Sequence, residues 1–135
     1  MRRASVPARR DAGRGAFGRR SEALACQLLT SQGYTIVQRN VRYPVGELDV
    51  IAWDGATLCF VEVRATSSMD WGGPLASIGP RKRQHLIRAA QWYLNRCHPV
   101  PEESRFDVVA IHWEAGGKPE VELIRGAFEA DTGWH

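Results

Sequence analysis

Apolar residues recur at helical spacing through "FGRRSEALACQLLTSQ" (17–32), where Leu24, Ala25, Leu28 and Leu29 share one side and Gly33 supplies a stop. A first helix is expected there. The stretch 34–42 is rich in β-branched and aromatic residues and predicts a strand that Pro44 closes. From Val45 to Ser67, "VGELDVIAWDGATLCFVEVRATS" reads as two strands of a hairpin, and "ATSSMDWGGPLASIG" (65–79) then collects Gly, Ser and Pro into a long loop with Trp71 as an anchor. Pro80 opens a second helix expected to run to about Cys97, with Leu86, Ile87, Ala90, Tyr93, Leu94 and Cys97 as its buried stripe. "RFDVVAIHW" (105–113) and "PEVELIRGAF" (119–128) predict two closing strands around a Gly116–Gly117 turn. The order is α-β-β-β-α-β-β, and a mixed sheet flanked by helices is the simplest way to bury these stripes.

The hairpin raises a question of parity, because alternation puts Glu47, Asp49, Ile51 and Trp53 on one face and Leu48, Val50 and Ala52 on the other. On its partner, Leu58, Phe60, Glu62 and Arg64 separate from Cys59, Val61 and Val63. A two-residue Asp54–Gly55 turn sets Glu47 opposite Glu62, and a four-residue loop sets Asp49 opposite Glu62. Either leaves all four charged residues on one face, whereas a three-residue loop splits the carboxylates and mixes charge into both surfaces. Ile51, Leu58 and Phe60 share the charged face and also need cover, so both faces are packed and the charges gather at a rim.

Three acids against Arg64 alone leave the rim short of positive charge. Facing carboxylates repel, and each needs a cation or hydrogen bonds to stay ionised near a core. A divalent cation resolves this, since strands ~4.8 Å apart bring two carboxylates close enough to share an ion at ~2.1 Å. Oxygen ligands point to Mg²⁺ or Mn²⁺ rather than zinc. The alternative is a solvated sheet edge on which Arg64 neutralises Glu62.

Composition narrows the field. The chain of 135 residues is sized for one domain, and its net charge of +3 is unevenly spread. Residues 1–20 carry seven arginines against Asp11, which leaves −3 for the rest. The first 16 residues read as a basic disordered leader, either merely solubilising or an arm that follows phosphates. Residues 17–128 form the domain, and 129–135 are a C-terminal tail. No stretch has the length and apolar character of a membrane span or secretory signal, so a cytoplasmic protein is expected. Cys26, Cys59 and Cys97 make no C-x-x-C pair and read as small core residues in a reducing compartment. The four histidines make no H-E-x-x-H motif, and Ser67 and Ser68 lack a G-x-S-x-G context, so zinc-hydrolase and serine-nucleophile readings drop out.

Asp49 followed by Glu62-Val63-Arg64 resembles the PD-(D/E)XK nuclease superfamily, in which an acid on one strand is followed on the next by an acid, any residue and a lysine. The blocks "GRRSEALACQLLTSQGYTIVQRNVRYPVGELDVIAWDG", "FVEVRATSS", "PRKRQHLIRAAQWYL", "RFDVVAI" and "AF" are similar, in that order, to the YraN family of small bacterial proteins. The resemblance covers about residues 17–128. It implies a restriction-endonuclease-like α/β fold, with a mixed five-stranded sheet flanked by helices, and a Mg²⁺- or Mn²⁺-dependent nuclease acting on DNA, including branched or repair intermediates. A homodimer is compatible with it.

Carried over by position, Asp49 and Glu62 become metal ligands, with the Val63 carbonyl completing the protein share and Glu47 available for a second ion. Glu22 matches a helix-one acid of the resolvase-like branch. A glutamate favouring the helix dipole is the simpler account of it. Asp49, Glu62, Arg64 and Glu22 are thus the candidate catalytic set. Arg64 departs from the pattern: a guanidinium cannot serve as a base, although its fork can hold a phosphate oxygen or a carboxylate. A non-catalytic nucleic-acid-binding protein that keeps the fold is therefore the second reading. Arg81, Lys82, Arg83 and Arg88 open the second helix against its dipole, which points either to a phosphate partner or to a solvated basic face. Lys82, four residues before Leu86, lies on the flank from which it approaches the acidic rim. Trp71 and Trp92 are candidates for stacking on bases or, more simply, for packing.

Overall fold

The computed structural model describes residues 15–67, 78–114, 116 and 118–130. Helix α1 (Gly15–Ser31) is followed by β1 (Thr35–Tyr43), β2 (Gly46–Asp54), β3 (Thr57–Thr66), α2 (Pro80–Leu94), β4 (Glu103–Trp113) and β5 (Pro119–Phe128). The expected element order is observed. One sheet runs β1-β2-β3-β4-β5 with every pair antiparallel except β3–β4. Parallel neighbours need a crossover, and α2 supplies it. The two helices cover opposite faces. Ala25 and Leu29 of α1 bury Val50, Ala52, Cys59, Val61, Val109 and Ile111. Leu86, Ile87, Ala89, Ala90 and Leu94 of α2 bury Ile51, Leu58, Phe60, Phe106 and Val108. The central strand is apolar on both sides from Leu58 to Val61 because it is covered on both.

The helix ends follow local chemistry. Gly33 sits at φ 95° while the amide of Tyr34 donates to Leu29 O and that of Gly33 to Thr30 O, the paired bonds that close a helix on a left-handed residue. Helix α1 starts at Gly15, so two residues assigned to the leader are helical; residues 1–14 and 131–135 lie outside those described, as does Trp71 in the long loop. Helix α2 stops at Leu94 rather than Cys97. Arg96 and Cys97 donate to carbonyls three residues back, a tightened last turn ahead of Pro99 and Pro101. Cys59 is buried, while Cys26 and Cys97 are only partly so.

The hairpin takes one of the two expected registers, the one that sets Asp49 opposite Glu62, and departs from expectation in its turn residues and in one face. The turn is Gly55–Ala56, with Asp54 opposite Thr57, rather than Asp54–Gly55; Gly55 takes φ 63°, which suits it to the first turn position. The resulting register, with Ile51 opposite Phe60 and Val50 opposite Val61, brings Asp49 rather than Glu47 level with Glu62. Second, Leu48 does not share a face with Val50: it packs under α2 beside Val41, while Val50 packs under α1. Both strands change face at one level, where Asn40 (φ 54°) lies between the pairs Arg39–Val50 and Val41–Leu48. Asparagine is one of the few side-chain-bearing residues that adopts this left-handed conformation readily, and its backbone turn is what swings the strand over.

Candidate functional site

Asp49 occupies the level at which β1 and β2 change face, so its carboxylate lies against β3 instead of continuing a regular row. The Val63 amide donates to its Oδ2 at 2.9 Å. Burial, reinforced by the neighbouring charge of Glu62, pushes the Asp49 carboxyl well above the usual carboxylate range; the Val63 amide opposes the shift, and a hydrogen bond to Glu62 and the charge of Glu22 add to it. The register and the Val63 amide together set the two acids from adjacent strands at one level. Glu62 is 8% exposed and sits on the α2 side of β3, in the same row as Phe60.

The cation on Glu62 comes from the helix. Lys82 Nζ lies 3.5 Å from Glu62 Oε2, reaching in from the first turn of α2. Arg64 follows Glu62 on the same side of β3, with Val63 and Ala65 packed toward α1 between and beyond them. The alternative in which Arg64 neutralises Glu62 is not seen among the described residues: the ion pair on Glu62 is with Lys82, and Arg64 Nε is buried without a hydrogen-bond partner. Its Nε–H is a buried donor without an acceptor.

Glu22 projects from the eighth position of α1, too far from the terminus for the helix dipole to account for it. Its Oε1 accepts from Arg39 Nη2 at 3.0 Å and from Asn40 Nδ2 at 2.9 Å. Asn40 thus turns the strand and also holds the helix acid near Asp49. Glu47 stands apart: it is half-exposed and pairs with Arg42 at 3.5 Å. Of the basic residues opening α2, Arg81, Lys82 and Arg88 are exposed and Arg83 is partly buried. Trp92 packs rather than projects, with its ring 5.4 Å from Tyr43 and Arg96 lying over it at 4.8 Å.

Among the described residues, no three His, Cys, Asp or Glu side chains are arranged to hold a metal ion. The donor set is the Asp49–Glu62 pair. Two carboxylates suit Mg²⁺, which usually keeps several waters and is held by one or two carboxylates plus substrate phosphates. In this structure the Glu62 carboxylate has the Lys82 ammonium as its positive partner.

The structure also holds a second polar cluster that the sequence reading passed over. Asp107 is 1% exposed on β4; its carboxylate accepts from Tyr34 Oη at 2.6 Å, from Arg105 at 2.8 and 3.0 Å and from the Gly126 amide at 2.9 Å. Arg105 also reaches Asp54 at 2.7 Å. Arginine and aspartate two residues apart, ahead of the apolar run Val108–Ile111, were the available sign, since that spacing puts both on one face. The cluster is internally bonded and anchors the β4–β5 register shift near Asp107.

The family model described as "Uncharacterised protein family UPF0102" matches residues 21–111, from Ser21 in α1 to Ile111 in β4. The chain belongs to this family. A UPF0102 protein of Desulfosudis oleivorans is 46% identical over 115 residues, 85% of this chain and 91% of that one. Others from Syntrophotalea carbinolica and Moorella thermoacetica are each 42% identical, covering 87% and 82% of this chain and 94% and 93% of theirs. The UPF0102 match spans every element that builds the acid pair. No helix among the described residues is long and apolar enough to cross a membrane.

Proposed function

We propose that this UPF0102 protein is a Mg²⁺- or Mn²⁺-dependent nuclease of the PD-(D/E)XK type, of the YraN branch, acting on DNA in the cytoplasm. The observation that carries the reading is the convergence of Asp49 and Glu62 from adjacent strands at a partly enclosed corner, with the Lys82 ammonium on Glu62. Repulsion between unbridged acids makes such a corner costly unless a ligand or a proton compensates it.

Asp49 and Glu62 would hold the metal, with the Val63 carbonyl as the third protein oxygen. A bound ion would polarise the phosphodiester and lower the pKa of a coordinated water. The residues of the chain divide the remaining work. The Val63 amide fixes the Asp49 carboxylate, leaving its other oxygen for a ligand. Arg64, whose buried Nε has no partner, would turn its guanidinium fork to a phosphate oxygen, neutralising charge that grows as the water oxygen bonds to phosphorus and an ester P–O bond breaks. Glu22, held by Arg39 and Asn40, keeps further negative charge near the attacking water. Arg81, Lys82, Arg83 and Arg88 follow the DNA backbone. Glu47, turned to Arg42, has no part in the first metal site.

The test is cleavage of branched, nicked and single-stranded DNA with Mg²⁺ or Mn²⁺. Loss of cutting in Asp49→Asn and Glu62→Gln is the expected result; equal cutting by parent and variants, or none by the parent, rejects an enzyme at this site. Arg64 in place of lysine favours one second reading, a DNA-binding protein that does not cut. It predicts salt-sensitive binding that survives both substitutions, and a gain of cutting in Arg64→Lys separates an impaired nuclease from a binder.

A further inference from the structure

The cation that faces Glu62 is borne by the helix that also presents the exposed basic residues, and this arrangement has a consequence for ligand binding. Lys82 lies in the first turn of α2, where the helix dipole disfavours positive charge. Its side chain is 46% exposed, on a long flexible stem, whereas the side chain of Glu62 is 10% exposed. The nearby Arg64 leaves Glu62 to Lys82. One partner is fixed in the sheet and the other is free to leave.

We propose that Lys82 is an exchangeable counter-ion: it neutralises Glu62 in the metal-free protein, is displaced when a divalent cation binds the Asp49–Glu62 pair, and then turns to a phosphate of the nucleic acid. The proposal rests on the metal-site reading above and adds a competitor to it. Lys82 and the metal contend for the same oxygens. Anything that draws the ammonium away, a DNA phosphate included, therefore strengthens metal binding, and by linkage the metal strengthens DNA binding. Lys82 acts through Glu62 and is a positioning residue.

The experiment is calorimetric titration of the full-length protein with Mn²⁺ in the absence of DNA. Lys82→Met, which keeps most of the stem and removes the charge, is expected to bind Mn²⁺ more tightly by on the order of fivefold, the effect of one close charge in a largely solvated setting. Lys82→Arg, which keeps the charge, and Arg81→Met, which removes an adjacent charge that does not touch Glu62, are expected to stay within about twofold of the parent by the same reasoning. Should Lys82→Met not fold, Lys82→Gln replaces it. Tight Mn²⁺ binding by the parent, abolished by Glu62→Gln but unmoved by Lys82→Met, overturns the counter-ion role and leaves the metal site standing. An equal gain in Arg81→Met also overturns it, since the effect is then one of general charge. No Mn²⁺ binding by parent or Lys82→Met rejects the metal site and the exchange together.

Discussion

The Val63 amide donates to Asp49 Oδ2 at 2.9 Å, a bond from backbone to side chain just beyond the last regular pairing of β2 with β3, Val50 opposite Val61. The carboxylate takes over a donor that the sheet would otherwise have satisfied. It is thereby held against Glu62, and the protein bears the cost of bringing the two acids together.

That cost has a pH signature. The Asp49 carboxyl titrates above its unfolded value of about 3.8 because burial and then Glu62 disfavour its charge. The folded chain thus binds more protons than the unfolded one between the two values, and stability falls as pH rises through the folded value. Asparagine copies the protonated form: its carbonyl accepts from Val63 and its amide donates to Glu62. Asp49→Asn is expected to melt higher than the parent at pH 8 without metal, by roughly 3–6 °C for each kcal/mol relieved. The advantage should narrow by pH 5. Thermal melts of both proteins at the two pH values check the sign, and a variant less stable at pH 8 contradicts it.

Asp107 is expected to behave oppositely. Its oxygens accept from Tyr34, Arg105 and Gly126, so Asp107→Ala leaves a phenol, a guanidinium and an amide without their buried acceptor. Breaking such a buried pair costs about 3 kcal/mol or more. Tyr34→Phe removes one hydrogen bond and should cost about 1 kcal/mol. Urea denaturation of the two variants gives the ranking, and a near-neutral Asp107→Ala would show that the cluster contributes little.

The order of elements was legible because each carries its own local signal: Gly33 at a helix stop, Pro80 at a helix start, β-branched runs in the strands. The convergence of Asp49 and Glu62 was legible because alternation is a strong constraint wherever one side must bury hydrocarbon. The face change was not. Parity assumes an unbroken strand, and the break depends on Asn40 taking φ 54°, a single-residue choice that many asparagines do not make. The source of the cation on Glu62 was also hard to read, because Arg64 is two residues away in sequence while Lys82 is brought in by the crossover helix. Spacing along a strand reports who shares a face, and tertiary packing settles who reaches a partner.

The close approach of α2 to the start of β2 gives a third expectation. A Cβ on Gly46 would lie 2.9 Å from the His85 carbonyl oxygen, a backbone atom in the body of the helix. Gly46→Ala therefore forces α2 outward, at an overpacking cost of about 1–3 kcal/mol. His85 lies one turn beyond Lys82, so the Lys82–Glu62 contact should loosen with it. Denaturation midpoints measure the first effect. An unchanged midpoint would mean that α2 shifts freely on the sheet.

If the exposed start of α2 follows a DNA backbone, its arginines contribute charge rather than base reading. Arg81 and Arg88 are one spacing of seven apart on an exposed helical side and form no ion pair among the described residues. Each phosphate they neutralise releases counter-ions, so the double variant Arg81→Ala/Arg88→Ala should bind DNA more weakly and lower the slope of log affinity against log salt by about 2. The loss should be the same for unrelated sequences, since phosphate contacts position without specifying. Arg125→Ala serves as the control. Arg125 pairs with Asp54 beside the β2–β3 turn, away from α2, and its removal should leave the slope unchanged. Fluorescence anisotropy with a labelled duplex, at several salt concentrations and with EDTA to prevent cutting, reads both. A slope that falls equally in the control would assign the binding to overall charge, and a slope unmoved in the double variant would take the DNA off this helix.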